Sequence, residues 1–516
     1  MTARLECILT THSVMDEEES GGIIFGLYRA GEKSLALVTA ALKRRYWTRV
    51  LESLNNMCRR FGSCILCFSL VVLFSGISRS AGEKDGRAIV LIGARLIDGT
   101  QRAPVENAVL VIEGDKLIAV GSAGSVKYPD DAEVIDCHGQ SIIPGLITDH
   151  SHLGLVDGVT IKPENYNREN IHRQLRQYEA YGVTTVTALG LNGNLFYELR
   201  QEQHSGQAPG ADIFGADRGI GAPNTAPPMA LLPVGQDQLY RASSPEEAKA
   251  AIRETAARHP DLIKIWVDDQ LGSNPMMKPE VYQAAIEEAH RLGLRVACHI
   301  YYLEDAKSVL RAGADIIAHG VRDKPVDQEF IDEMKARSAW YNPTINLDET
   351  SYIYDEQPEW TKASFFQNAL QPALRDQLSS PAYLQKAQKN PRVPIFKRAV
   401  ATNKENLKSL HDAGVKVGFG TDSGAMPLRI PGFAEHRELQ LMVESGLSPL
   451  QALECGTARA AALLGLTDRG VLEPGKLADF VVLNANPLDD ISNTEKIAAV
   501  WHRGKKVSGS IESFSQ

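Results

Sequence analysis

Residues 294–320, LRVACHIYYLEDAKSVLRAGADIIAHG, hold two short apolar runs that each end in a histidine, with a helix-like stretch between them. The first run ends in His299 and the second in His319, while Leu303 to Ala312 has a helical composition. Strand, helix and strand in that order make the crossover unit of a parallel sheet. The arrangement repeats on both sides. Upstream, Asp261-Leu-Ile-Lys-Ile-Trp-Val267 carries Lys264 in its middle, where an amine is costly to bury without a partner. Downstream, Val415-Lys-Val-Gly-Phe-Gly-Thr-Asp422 ends in Asp422. Helix-like stretches run from Pro279 to Leu292 and from Phe396 to Ala413. Polar residues that recur at the C-terminal ends of parallel strands point to a (β/α)8 TIM barrel of the α/β class, with its chemistry on that face.

The run Ser141-Ile-Ile-Pro-Gly-Leu-Ile147 leads into His150 and His152, whose i, i+2 spacing in extended chain turns both imidazoles to one side. With 13 histidines in 516 residues, one such pair arises easily by chance, so its weight comes from its partners. Each partner also has a plain structural reading. A buried histidine is often satisfied by ordinary hydrogen bonds, Lys264 has Asp268 and Asp269 nearby in sequence, and Asp422 has a turn to cap. Six such residues in the right strand order outweigh those readings.

The set His150, His152, Lys264, His299, His319 and Asp422 resembles the metal-dependent amidohydrolase superfamily in its two-metal form with a carboxylated lysine. It is most similar to the imidazolonepropionase-like and Xaa-Pro or Xaa-Arg dipeptidase-like branch, from about Ile89 to Val507. Pro144 to Ile147, Gly182 to Val186 and Gly475 to Leu483 support the likeness. The resemblance implies two divalent metal ions, Zn2+ being the expected metal. His150, His152 and Asp422 would hold one and His299 and His319 the other, with a CO2-derived carbamate on Lys264 and a hydroxide between them. Asp422 would be the catalytic residue, first general base and then general acid. One position departs from the pattern. The family usually has Asp two residues before the first histidine, whereas Thr148 stands there and Asp149 directly precedes His150.

A chain of 516 residues with 43% hydrophobic content exceeds one barrel. Strand-like runs at Ala88–Leu96, Ala108–Ile112, Lys116–Val120, Glu133–Asp136, Phe480–Leu483 and Ala498–His502 read as a small composite β-sandwich, formed from 86–143 and 468–516, flanking a barrel over 144–467. Met57-Cys-Arg-Arg, the apolar stretch Cys64 to Ile77 and the small residues through Ala81 have the layout of a signal peptide over 57–85. Residues 1–56 read as a non-native or disordered extension with Met57 as the start, and a membrane anchor is the alternative. The expected location is periplasmic or secreted, with no stable membrane span after signal removal. Cys137, Cys298 and Cys455, the cysteines beyond that region, make no disulfide framework, and strand alternation turns Cys298 away from the side of His299. The net charge of −9 argues against nucleic acid as a partner, and a homo-oligomer is left open.

Two long loops, Gly219–Gln238 and Asn346–Val393, are candidate lids. Tyr301, Tyr302, Arg322, Asn342 and Thr344 follow strand ends and are candidate substrate contacts, an arginine being suited to clamp a carboxylate. Packing roles for the tyrosines and an Arg322–Asp323 pair are the plain alternatives, and His436 reads as a helix-surface or supporting residue. The expected activity is hydrolysis of an amide bond in a dipeptide or N-acyl amino acid rather than in long-chain protein. Hydrolysis of a cyclic amide, as by imidazolonepropionase, is the second expectation. A mononuclear deaminase and a catalytically silent barrel acting as a binding protein complete the set.

Overall fold

The computed structural model describes residues 87–508 except Gln207; the signal-peptide and extension readings for 1–85 lie outside the described residues. Eight short parallel strands carry the central part of the chain. They are β1 (Leu146–Ser151), β2 (Val183–Leu189), β3 (Asp212–Ala216), β4 (Ile263–Trp266), β5 (Val296–His299), β6 (Ile316–Ala318), β7 (Trp340–Asn342) and β8 (Lys416–Val417). Strands β1 to β3 pair in order within one sheet, and β4 to β8 pair in order within another. Single parallel bridges, Ala216 to Leu262 and Ser151 to Ser423, join chain at the ends of these sheets. A helix follows every strand, as a mixed α/β fold of crossover units requires.

The stretch 294–320 folds as its pattern indicates. Residues Leu303–Ala312 form a helix that ends at Gly313 with φ 111°, a left-handed C-terminal stop that glycine tolerates. Lys264, Ala297 and Ile316 stand in adjacent register positions of β4, β5 and β6. Large apolar clusters fill the spaces between strands and helices, and a smaller one formed by Leu189, Leu262, Ala297, Ile316, Ala318 and Leu463 lies among the strands.

Both ends of the described chain build one eight-stranded sheet. The strands Ile89–Leu96, Val105–Glu113, Lys116–Ser122, Glu133–Asp136 and Ser141–Pro144 join Phe480–Leu483, Ile497–His502 and Lys505–Ser508. The apolar run 141–147 is therefore divided at Gly145, between this sheet and β1. A side chain there would collide with Thr184, so the close approach of β2 demands glycine.

The segment 346–393 differs from the loop expected of it. It contains short helices, among them Ser364–Ala369, Pro372–Ser379 and Pro381–Gln388, before the long helix Val393–Asp412. Its prolines look like loop punctuation in sequence, yet Pro372 and Pro381 occupy helix starts, where the missing N–H costs nothing. His436 is likewise buried rather than on a helix surface, its ring nitrogens meeting Thr494 Oγ1 at 3.0 Å and the Tyr181 carbonyl at 2.8 Å. No helix among the described residues is long and apolar enough to cross a membrane.

Candidate metal centre and active site

The C-terminal ends of the strands bring the six sequence-selected residues together. His150 and His152 leave β1, Lys264 stands in β4, His299 ends β5, His319 follows β6 and Asp422 follows β8. Asp422 Oδ1 lies 3.3 Å from His150 Nε2 and 3.1 Å from His152 Nε2. Ligand atoms from these three residues all fall within 4.8 Å of one another. The ring of His319 lies 4.4 Å from that of His150 and 4.3 Å from that of His299, centroid to centroid.

Backbone conformation is unusual where this convergence occurs. His319, Thr344 and Asp422 have φ of 80°, 44° and 59°, in the left-handed region that non-glycine residues rarely adopt. Each such residue stores about 1–3 kcal/mol of strain, held by the surrounding structure.

Lys264 is fully buried, with Nζ 3.3 Å from His150 Nε2 and over the face of Trp266. Asp268 and Asp269 do not pair with it: Asp268 Oδ2 meets His299 Nε2 at 3.0 Å, and Asp269 Oδ1 accepts from Tyr302 Oη at 3.1 Å. Burial pulls the lysine down to about 7 against the opposing pull of Asp422. Burial also holds His150 and His319 well below the usual imidazole range and brings His299 to about 4. These rings are neutral at physiological pH, the form that ligates a metal. His152 Nδ1 faces the Gly190 carbonyl at 3.2 Å, so that nitrogen donates and Nε2 presents its lone pair toward Asp422. For Asp422 itself burial acts upward, but Arg429 and the two imidazoles outweigh it and hold the carboxyl well below its ordinary range.

Neutral imidazoles, a carboxylate and a buried amine gathered at one spot are a donor set suited to divalent cations. The Thr148–Asp149 departure leaves this set intact. Thr148 is buried with its hydroxyl 3.5 Å from the His150 carbonyl, and Asp149 Oδ2 accepts from the Phe419 amide at 3.1 Å. Asp149 Oδ1, His150 Nδ1 and Asn342 Oδ1 are buried without hydrogen-bond partners among the described residues.

The amidohydrolase family model matches residues 141–507, spanning this entire constellation. The chain belongs to the amidohydrolase family. It is a metal-dependent hydrolase of carbon–nitrogen bonds. It is similar to ochratoxinase of Aspergillus niger, 25% identical over 473 residues that cover 83% of this chain and 88% of the relative. A 5-methylthioadenosine/S-adenosylhomocysteine deaminase of Bacillus cereus (strain 03BB102) is 23% identical over 455 residues, covering 79% and 88%. Among solved structures, a putative prolidase from Bifidobacterium longum matches with a TM-score of 0.65 at 25% identity, covering 83% of this chain and 96% of its own. A Xaa-Pro dipeptidase with methionine bound in its active site matches with a TM-score of 0.64 at 25% identity, covering 82% and 100%.

In this amidohydrolase a cavity of about 270 Å3 opens above the centre, with His152, His299 and Asp422 on its lining. Tyr301 and Arg322 also line it, whereas Tyr302, Asn342 and Thr344 are absent from its lining among the described residues. Tyr302 turns to Asp269, and Thr344 Oγ1 meets His319 Nδ1 at 2.8 Å. Arg322 is already engaged, donating to Asp348 Oδ2 at 3.3 Å and to the Ile300 carbonyl at 2.7 Å, with its guanidinium over Tyr301. Its ion-pair partner is thus Asp348, 26 residues away, and not the adjacent Asp323. Sequence reasoning missed Arg429, Asp348 and Trp266. Trp266 carried a legible signal, since it stands two residues after Lys264 and hence on the same face of β4.

Proposed function

We propose that this enzyme is a binuclear hydrolase of the amide bond in a dipeptide or N-acyl amino acid. The observation that carries this reading is the convergence of four imidazoles, a carboxylate and a buried lysine on one spot at the strand ends. His150, His152 and Asp422 would hold one ion, and His299 and His319 the second, with Zn2+ as the expected metal. When bound, the ions supply Lewis-acid polarisation of the scissile carbonyl and acidify water at neutral pH.

Lys264 would bridge the two ions as a carbamate. The neutral Nζ attacks the carbon of CO2, an N–C bond forms as one C–O π bond opens, and one N–H proton is lost to solvent, turning a neutral amine into an anion. A lysine brought down to about 7 by burial has enough neutral amine for this step. Asp422 Oδ1 lies between the two histidines, while Oδ2 contacts Arg429. We assign to the Asp422 carboxylate the transfer of a proton from the attacking water to the leaving nitrogen. Tyr301, on the cavity wall, is the substrate contact this geometry favours among those selected from sequence.

The two bridges that join the strand sets support a closed (β/α)8 barrel over about 144–467, and the sheet built from both chain ends supports a composite β-sandwich beside it. The signal-peptide layout of 57–85 supports a periplasmic or secreted enzyme. Hydrolysis should be measured with the metal-loaded enzyme against a library of dipeptides and N-acyl amino acids, scoring released amino acid. Turnover of several members is the expected result. No release from any member, beside turnover of a lactam, would replace this reading with cyclic-amide hydrolysis. Deamination is a second reading, favoured by the deaminase relatives, and requires one ion and an unmodified Lys264.

A further inference from the structure

The lining of the cavity over the centre combines two unlike groups of residues. Of its three arginines, Arg322 is paired with Asp348 and Arg429 with Asp422. Arg392 is exposed, donates only to the Ser273 hydroxyl at 3.2 Å, and has no ion-pair partner among the described residues. It is the one lining cation left to meet an incoming anion.

The second group is apolar and includes Leu191, Pro228, Leu231, Leu232 and Trp266. Met229 and Leu231 are 47% and 54% exposed, two of only eight large apolar residues exposed among those described. An apolar ligand group covering Leu231 beside Leu232 and Trp266 would gain about 1.5–3 kcal/mol. The segment is held at its base. Arg241 donates to the carbonyls of Ala222 at 3.1 Å, Thr225 at 3.0 Å and Pro227. The amides of Leu231 and Leu232 both donate to the Pro228 carbonyl at 3.0 Å, making 228–232 a tight turn. The cavity volume suits one dipeptide-sized molecule and no folded protein.

We propose that Arg392 and the turn 228–232 determine which amides this enzyme accepts. The substrate carries a carboxylate at one end, which pairs with the Arg392 guanidinium, and a bulky apolar group at the other, which packs against Leu231, Leu232 and Trp266. A carboxylate fits because a planar guanidinium binds it through two parallel hydrogen bonds. A more highly charged anion would be repelled by the neighbouring Asp268 and Asp348. This assignment rests on the reading of the site as an amide hydrolase.

Three probes separate the two groups: N-benzoylglycine, its carboxamide N-benzoylglycinamide, and N-acetylglycine. With the metal-loaded full chain, N-benzoylglycine should exceed each of the others in kcat/KM by about tenfold, the size of one charge-assisted contact or of one buried ring. In R392M the carboxylate-to-carboxamide ratio should fall about tenfold while the benzoyl-to-acetyl ratio holds. L231N should do the reverse, and R392K should restore part of the first ratio. A structural role for Arg392 would move both ratios together. Unchanged ratios in R392M, or ratios near one in the wild-type enzyme, overturn the assignment. If none of the three is hydrolysed, the same ratios are read as affinities of the metal-stripped protein by calorimetry. Binding that depends on Arg392 and Leu231 then upholds the two groups while amide hydrolysis fails, and binding that depends on neither overturns them.

Discussion

The two ends of the parallel strands obey opposite rules. At their C-terminal ends lone pairs converge: Lys264 Nζ lies 3.3 Å from His150 Nε2, and the His319 ring packs tilted or edge-on within 4.4 Å of the rings of His150 and His299. Where β3 begins, charges are matched. Asp212, at the start of that strand, accepts from Arg469 Nη1 at 2.6 Å and from Arg503 Nη2 at 2.7 Å, and His502 Nδ1 meets Glu179 Oε1 at 2.7 Å nearby. Arg503 and His502 belong to the end sheet or its edge, so this network ties that sheet to the parallel strands. The difference teaches where each end obtains its stability. Asp212 is held by cations of the protein itself, while the C-terminal end gathers imidazole lone pairs and a carboxylate that suit bound cations.

The sharpest way to break that contrast is to alter one residue at each end. D422N should lower kcat/KM about a thousandfold or more, because it removes the group proposed as both proton carrier and metal ligand, while the far-ultraviolet circular dichroism spectrum stays unchanged. A variant that retains a tenth of the activity would remove Asp422 from its assigned role. R469M should act in the other currency, lowering unfolding free energy by about 3 kcal/mol in urea titrations, since it leaves the buried Asp212 with one fewer partner. Its metal content should not change.

A smaller effect comes from pH. Burial acts to raise the Asp212 carboxyl, but Arg469, His502 and Arg503 outweigh it and leave it lowered. Its contribution to stability is present above the unfolded value of 3.8 and is lost as pH falls through the lower folded value. His502 behaves oppositely. Burial acts to lower it, but Asp479, Glu179 and Asp212 leave it raised, so its contribution is full below 6.5 and is lost as pH rises through the folded value. Urea midpoints across pH 3 to 9 should therefore form a plateau with two shoulders. D212N should flatten the acid shoulder and H502Q the alkaline one, whereas no change in either shoulder would deny the network its stabilising role.

The same contrast explains what could be read from the sequence. The C-terminal strand ends were legible because a polar residue closing an apolar run is a local signal, repeated at His299, His319 and Asp422. The network around Asp212 was not, since Arg469 lies 257 residues away in a connecting bend. Within the site, the engagement of Arg322 by Asp348 and of Asp268 by His299 depends on how loops from different strands meet, which no spacing reveals. The helical segment 346–393 escaped for another reason. Its prolines mark helix starts and loop breaks alike, and only packing decides between them.

The binuclear centre proposed at the C-terminal strand ends, with Lys264 modified, is open to direct counting of its ions. Metal analysis of the purified full chain, equilibrated with Zn2+ and bicarbonate and then freed of unbound ions, tests it most directly. The account predicts two ions per chain in the wild-type protein and a reduced number in K264M. No bound ion, or one ion in both proteins at full activity, would contradict it.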